Sequence, residues 1–295
     1  LIRAVKRQNW EFLHTDVTLK DLLGEGQFGE VRSGVLDIGG KKAKEIKDKK
    51  QLEKAKEKIK EMMHEARLMR NFRHVNVVRM YGVAVCHEPL MILLEKVNGG
   101  SLFDLLDRKK GQIPEEEKVD NMSLGAARGI EYLHSQQCIH RDIASRNVLY
   151  TETKIAKISD FGMSRSGPLY EMKRGGRKRI PLKWTAPESM VAFQYTSKTD
   201  VFSFSILLWE IFSDAAEPYA GMTCLEVKKM VQYVTLFRLS SKEISCGERL
   251  KKPQNCPDDM YRLMNKCWEQ NPAKRCTMSE VIFSWTENSF NQGSG

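Results

Sequence analysis

"CIHRDIASRNVL", residues 138–149, sets His140, Arg141 and Asp142 in a row and places Asn147 five residues beyond the aspartate. A second aspartate, Asp160, opens "DFG" eleven residues after Leu149. Ordinary polar loop residues between core strands would need neither this order nor this spacing. The residue types suit one chemistry. Asp142 can accept a hydroxyl proton, while Asn147 and Asp160 can hold a divalent ion, so the stretch supplies a base and metal ligands. Phosphoryl transfer asks for little more than these and a means of positioning the phosphates.

Upstream, "VTLKDLLGEGQFGEVRSGVL" alternates apolar and polar residues around a glycine turn, which predicts a strand, a turn and a strand. Gly24, Gly26 and Gly29 spell G-x-G-x-x-G. A dinucleotide-binding fold would start a helix at the third glycine, whereas Val31 and Val35 continue a strand. The glycines therefore read as a flap whose bare backbone amides can approach phosphates. From Leu52 the apolar positions run through Ala55, Ile59, Met62, Ala66 and Met69, a spacing of three and four that predicts an amphipathic helix. "VNVVRMYGVAV" and "PLMILLEKV" predict two further strands, and "NGG" at 98–100 breaks the pattern. Beyond it, "SLFDLLDRKK", "PEEEKVDNMSLGAARGIEYLHSQ", "TDVFSFSILLWEIFS" and "PDDMYRLMNKCWEQ" read as helices. A small strand-rich half ahead of a larger helical half predicts an α+β protein with two lobes and a boundary near Asn98.

The 295 residues suffice for two lobes with buried cores. Most of the net charge of +10 comes from residues 41–60 and 173–183. Aromatic residues interleave with neither cluster, which argues against a stacking surface for nucleic acid. The seven cysteines are odd in number and form no C-x-x-C pair, which favours reduced thiols of a cytoplasmic protein over a disulfide framework or a zinc site. The longest apolar run, around "SILLWEIF", is interrupted by Glu210 and is far short of the roughly 20 residues of a membrane span. Residues 1–16 read as a linker with an aromatic pair, Trp10 and Phe12, in a chain cut from a longer protein.

With these stretches together the chain resembles a protein kinase catalytic domain over residues 16–290. The resemblance implies a bilobal kinase-like fold: a linker at 1–16, a β-rich N-lobe with one long helix at 17–97, a mainly helical C-lobe at 98–290 and a tail at 291–295. It makes Asp142 the base, Asn147 and Asp160 the holders of Mg2+, and Gly24, Gly26 and Gly29 the ATP flap. Glu65 in "MMHEARLM" matches the helix glutamate that pairs with a nucleotide-orienting lysine; otherwise it would be a solvated carboxylate on a charged helix. Leu94 would guard the back of the adenine pocket, Glu95, Lys96 and Val97 would form the hinge, and Val31 and Leu149 would sandwich the base. Met69, Met80, His140 and Phe161 match an apolar column, though plain core packing explains them equally well. Asp200 resembles the buried aspartate that braces the catalytic loop, and Glu188 of "TAPES" the partner of Arg275. Arg146, four residues after Asp142, and "IPLKWTAPE" look like the tyrosine-kinase pattern, so protein substrates would present tyrosine. "RQNWEFLHTDVTL" and "KWTAPES" most resemble the Fes and Fer group, cytoplasmic signalling kinases with a phosphotyrosine-binding module before the catalytic domain and membrane association through other domains. Tyr170 falls where such kinases are phosphorylated, near Arg141, Arg174 and Arg177.

One stretch departs from the pattern. The family's third strand ends V-A-x-K, but "KKAKEIKDKK" at 41–50 carries only Ala43 and Ile46 as apolar residues, which fits neither strand alternation nor a buried run. Lys47, 18 residues before Glu65, is the best candidate for the nucleotide-orienting lysine, with Lys44 second. Losing two buried valine-sized side chains forfeits about 1.5–3 kcal/mol each. Either contacts that the sequence does not reveal support this strand, or the small lobe is poorly ordered and activity is compromised; the alternative function is a catalytically impaired scaffold acting through partners. Lys96, Ser205, Leu236, Cys276 and, more mildly, Ser145 are further departures.

Overall fold

Alternation over "VTLKDLLGEG" and "GEVRSGVLDI" resolves into β2 (Val17–Gly26) and β3 (Gly29–Ile38), antiparallel, with Val17 opposite Leu36 and Gly26 opposite Gly29. The computed structural model describes residues 8–26, 29–38, 41–50, 56–172, 180–228 and 249–291; the side chains of 25, 26, 29, 38, 41–50, 56–59 and 286–291 lie outside that description. The chain divides into two compact units, Leu1–Asn98 and Gly99–Gly295.

In the first unit β4 (Lys41–Lys50) follows β3, and β1 (Glu11–Phe12), β5 (Met80–Ala84) and β6 (Met91–Glu95) complete a six-stranded sheet of order β1-β5-β6-β4-β3-β2. Its outer strand β1 (Glu11–Phe12) pairs in parallel with β5. Gly82 permits this approach, because a Cβ there would meet the Trp10 carbonyl oxygen at 2.1 Å. Val17, Leu36, Ala84, Met91 and Leu93 form a core on which Phe12 and Tyr81 pack. Helix α1 (Lys56–Met69) buries Met62, Ala66 and Met69, the apolar stripe read from the sequence; residues 51–55 lie outside the described residues.

For 41–50 the structure supplies contacts that the sequence does not show. β4 pairs with β3 from Glu30↔Lys50 to Ile38↔Lys41 and with β6 from Ile46↔Glu95 to Asp48↔Leu93. A strand between two partners is fixed by main-chain hydrogen bonds on both edges, so its side-chain pattern need not specify it.

The second unit is mainly helical. Ser101 starts α2 (Leu102–Arg108) by accepting the Asp104 N–H at 3.1 Å. The predicted helix over 114–136 runs from 115 to 135, with a π-helical stretch, Glu117–Ser123, leading into α3 (Leu124–Ser135). Short helix α4 spans Pro187–Ala192. Helix α5 (Ser197–Phe212) is apolar around nearly its whole circumference and buried, as such a helix must be. It packs with α2, α3 and α6 (Asp258–Cys267), and α3 also packs on α7 (Met278–Asn291). Small ladders join β7 (Cys138–Ile139) to β10 (Arg165–Ser166), β8 (Val148–Tyr150) to β9 (Ala156–Ile158), and β11 (Tyr170–Glu171) to β12 (Gln194–Tyr195). No helix among the described residues is long and apolar enough to cross a membrane.

Candidate active site

The loop between β7 and β8 carries His140 to Asn147, and α5 holds it at both ends. Buried Asp200 accepts the backbone N–H groups of His140 and Arg141, each at 2.8 Å, and meets His134 Nε2 at 3.1 Å. These bonds fix Arg141 in the left-handed region, φ +70°, a conformation that persists only where surroundings over-determine it. At the loop's other end Glu210, 2% exposed, accepts the Ser145 N–H at 3.0 Å, the Ser145 hydroxyl at 2.7 Å and the Trp184 indole N–H at 3.0 Å. Between these anchors the Asp142 carboxylate accepts a hydrogen bond from Arg146. The Arg146 guanidinium lies 4.5 Å from the Trp184 ring centroid, so one cation orients the carboxylate and rests on an aromatic face. Asn147 Nδ2 donates to the Asp142 carbonyl at 2.8 Å, closing the turn.

The β8–β9 hairpin brings the second acid to the same place. Val148 pairs with Ile158, and the Ser159 N–H donates to the Asn147 carbonyl at 2.9 Å, so Asn147 and Asp160 leave the ladder at one end. Asp160 is left-handed, φ +61°, and accepts the Gly162 N–H at 3.3 Å. Phe161 is fully buried, edge-on to His140 with centroids 5.2 Å apart. Among the described residues no three His, Cys, Asp or Glu side chains gather as a cation site. One amide and one carboxylate suit Mg2+, which keeps waters and takes phosphate oxygens to complete its shell.

In the first unit Glu65 is 1% exposed on α1, which excludes a solvated carboxylate. The ladders place Lys47 opposite Ser33 on one side and Leu94 on the other, in the part of β4 paired on both edges, while Lys44 faces only Leu36 of β3. The side chain of Lys47 lies outside the described residues, as do Lys173 to Arg179 and Leu236. Gly24 pairs with Val31, and a Cβ at Gly24 would meet nothing within 4 Å, so packing does not require a glycine there. Gly26 and Gly29 close the hairpin. Leu94 is buried, and the Glu95 N–H donates to the Arg79 carbonyl at 2.8 Å; Val97 follows the end of β6 and is half-buried. In the second unit Leu149 is half-buried between its ladder partner Lys157 and a bridge to Ser101.

Tyr170 pairs with Tyr195 across β11 and β12. The Arg141 guanidinium lies 4.4 Å from the Tyr170 centroid and 4.2 Å from that of Tyr195, and burial lowers its pKa. Arg165, 5.3 Å from the Tyr170 ring, is a neighbour the sequence reading missed. The expected neighbours Arg174 and Arg177 are outside the described residues.

Residues 17–284 match the family described as protein tyrosine and serine/threonine kinase. The chain belongs to that family. This kinase domain is 40% identical over 283 residues to the tyrosine-protein kinase transforming protein Fps of avian sarcoma virus (strain PRCII), covering 95% of the chain and 50% of that protein. It is 40% identical to human tyrosine-protein kinase Fer over 94% of the chain and 32% of Fer, and 39% identical to Fer-related kinase 1 of Caenorhabditis elegans over 95% of the chain and 67% of that protein. The chain therefore spans half or less of the first two, and the resemblance to the Fes and Fer group is borne out. So is the α+β kinase fold class. Kinases of this family use a nucleotide triphosphate and a divalent ion. The kinase domain's Arg275 pairs bidentately with Glu188, at 2.7 and 3.2 Å, as the family resemblance implies. Glu210 was legible only as the residue interrupting an apolar run. A charge in a helix buried all round must find partners, and that signal marks it.

Proposed function

We propose that this domain transfers the terminal phosphoryl group of ATP to tyrosine hydroxyls of proteins. The observation that carries the reading is the turn of Asp142, Arg146 and Asn147, held by Asp200 and Glu210, with Asp160 leaving the β8–β9 hairpin beside it. Asp142 accepts the proton of the attacking phenol. The phenol oxygen bonds to the terminal phosphorus as the bond to the bridging oxygen breaks, and ADP departs. Asn147 and Asp160 would hold Mg2+, which supplies neutralisation of phosphate charge when bound. Arg146, resting on Trp184, places the tyrosine. Lys47 and Glu65 are assigned the orientation of the phosphates, supported by the double pairing at Lys47 and the burial of Glu65. Gly24, Gly26 and Gly29 offer bare backbone to the phosphates, and Val31, Leu94, Glu95, Val97 and Leu149 are assigned to the base. Phosphorylation of Tyr170 would set a dianion beside Arg141 and Arg165. A cytoplasmic signalling role, behind a phosphotyrosine-binding module and with membrane association through other domains, follows the Fes and Fer likeness. The lobe boundaries proposed are 17–97 and 98–290, with a linker before and a tail after.

Phosphate transfer to a glutamate–tyrosine copolymer tests this with wild type, Asp142→Asn and Lys47→Met. Removing the base should cost about 10²–10⁴-fold in kcat. A wild type no faster than the Asp142 variant ends the enzyme reading. An unchanged Lys47→Met rate ends only the lysine assignment.

A further inference from the structure

We propose that Cys267 and Cys276 form a dithiol site that a hydroperoxide oxidises to an intrachain disulfide. Their sulfurs lie 3.6 Å apart, both cysteines free. Cys267, the last residue of α6, is fully buried, and Cys276, just before Thr277, is partly exposed. Position 276 is one of the departures from the kinase pattern noted above.

The fold holds Cys276 in place independently of the contact between the sulfurs, and Cys267 sits at the end of α6. Thr277 caps α7, its hydroxyl accepting the Glu280 N–H at 3.2 Å while Glu280 accepts the Thr277 N–H at 2.7 Å. On the other flank the buried Arg275 guanidinium donates to Glu188, to the Glu269 carbonyl at 3.0 Å and to the Lys198 carbonyl at 2.7 Å. The backbone on both sides of Cys276 is thus pinned. Lys198 donates to the Arg275 carbonyl, which brings an ammonium near Cys276. The Cys276 thiol is shifted down, first by the hydrogen bond from Cys267 and also by Lys198. Cys267 is shifted up by that same contact and then by burial, so it keeps its proton. Cys138 and Cys256 are pushed by burial to about 12 and about 11, which leaves them inert.

The roles divide accordingly. The Cys276 thiolate attacks the terminal peroxide oxygen; an S–O bond forms, the O–O bond breaks, and the leaving oxyanion takes up the proton that Cys276 released, departing as alcohol or water and giving a sulfenic acid. The Cys267 sulfur then attacks the Cys276 sulfur. An S–S bond forms, the S–O bond breaks, and the hydroxyl leaves as water with the Cys267 proton. Two thiols and one hydroperoxide become one disulfide, one alcohol and one water.

The test treats the whole reduced chain with dilute hydrogen peroxide, alkylates remaining thiols, digests without reductant and weighs the peptides. The peptides carrying Cys267 and Cys276 should appear joined and two hydrogens lighter, before exposed Cys86 and Cys224 are modified, and dithiothreitol should separate them. The folded chain should link at least about tenfold faster than the chain in urea, because the fold pre-positions the sulfurs. Cys276→Ser, at the less buried position, should lose the product; Cys267→Ser should leave a Cys276 sulfenic acid that dimedone traps. Wild type that accumulates Cys276 sulfenic acid without linking, that oxidises first at Cys86 or Cys224, or that links no faster folded than in urea overturns the proposal. The wild-type measurement decides this even if Cys267→Ser fails to fold, and no outcome bears on the kinase reading.

Discussion

At Glu210 one carboxyl group serves three donors, and burial raises its pKa above the usual glutamate value against the opposing hydrogen bonds of Ser145 and Trp184. Glu210→Ala strands the Ser145 N–H and hydroxyl and the Trp184 N–H. Each buried group left without a partner costs about 1–3 kcal/mol. The expected outcome is a denaturation midpoint lowered by that order and a reduced kcat, with Glu210→Gln recovering most of both because its amide oxygen still accepts from the two N–H groups. The pH dependence has a definite sign. A raised carboxyl binds its proton more tightly folded than unfolded, so its contribution is full below the unfolded value, near 4.5, and falls as pH rises toward the folded pKa. Urea titrations across pH should show wild type losing stability relative to Glu210→Gln from about pH 4.5 upward. A difference flat with pH would refute the buried-carboxyl account. His140, Asp142, Asn147 and Asp160 were legible because their order along the chain survives in space. Glu210 acts on residues 65 and 26 positions away, and no local motif announces that.

Among the elements, β1 depends on one glycine. A Cβ at Gly82 would sit 2.1 Å from the Trp10 carbonyl oxygen and 2.5 Å from the Phe12 ring, and the Val83 N–H donates to that oxygen at 2.9 Å. Gly82→Ala should cost about 1–3 kcal/mol by overpacking, read as a lower denaturation midpoint with faster amide exchange at Val83. An unchanged midpoint would show that β1 adds nothing. Where residues alternate or repeat at helical spacing, as in β2, β3 and α1, the elements were legible before the structure. β4 was not. Its lysines carry no face-to-face pattern, and its identity comes from hydrogen bonds to β3 and β6, which are non-local. The π-helical turn at Glu117–Ser123 was equally hidden, since one extra residue in a turn leaves an apolar stripe nearly unchanged.

At the scale of the molecule, the second unit is arranged about α5. Asp200 and Glu210 stand ten residues apart on it, about 15 Å along its axis, and between them they hold the backbone N–H groups of His140, Arg141 and Ser145. The loop thus borrows its order from a helix that is buried on nearly every side. Loops that carry function are commonly drawn from the least stable parts of a protein, whereas this loop is tied to a most deeply buried part. Native-state hydrogen exchange should find those three amides opening as rarely as the slowest amides of α5 itself. Exchange at the rate of a surface loop would break that link. If the link holds, the turn from Asp142 to Asn147 shares one cooperative unit with α5, and warming should abolish its geometry only in the same step that dissolves the helix.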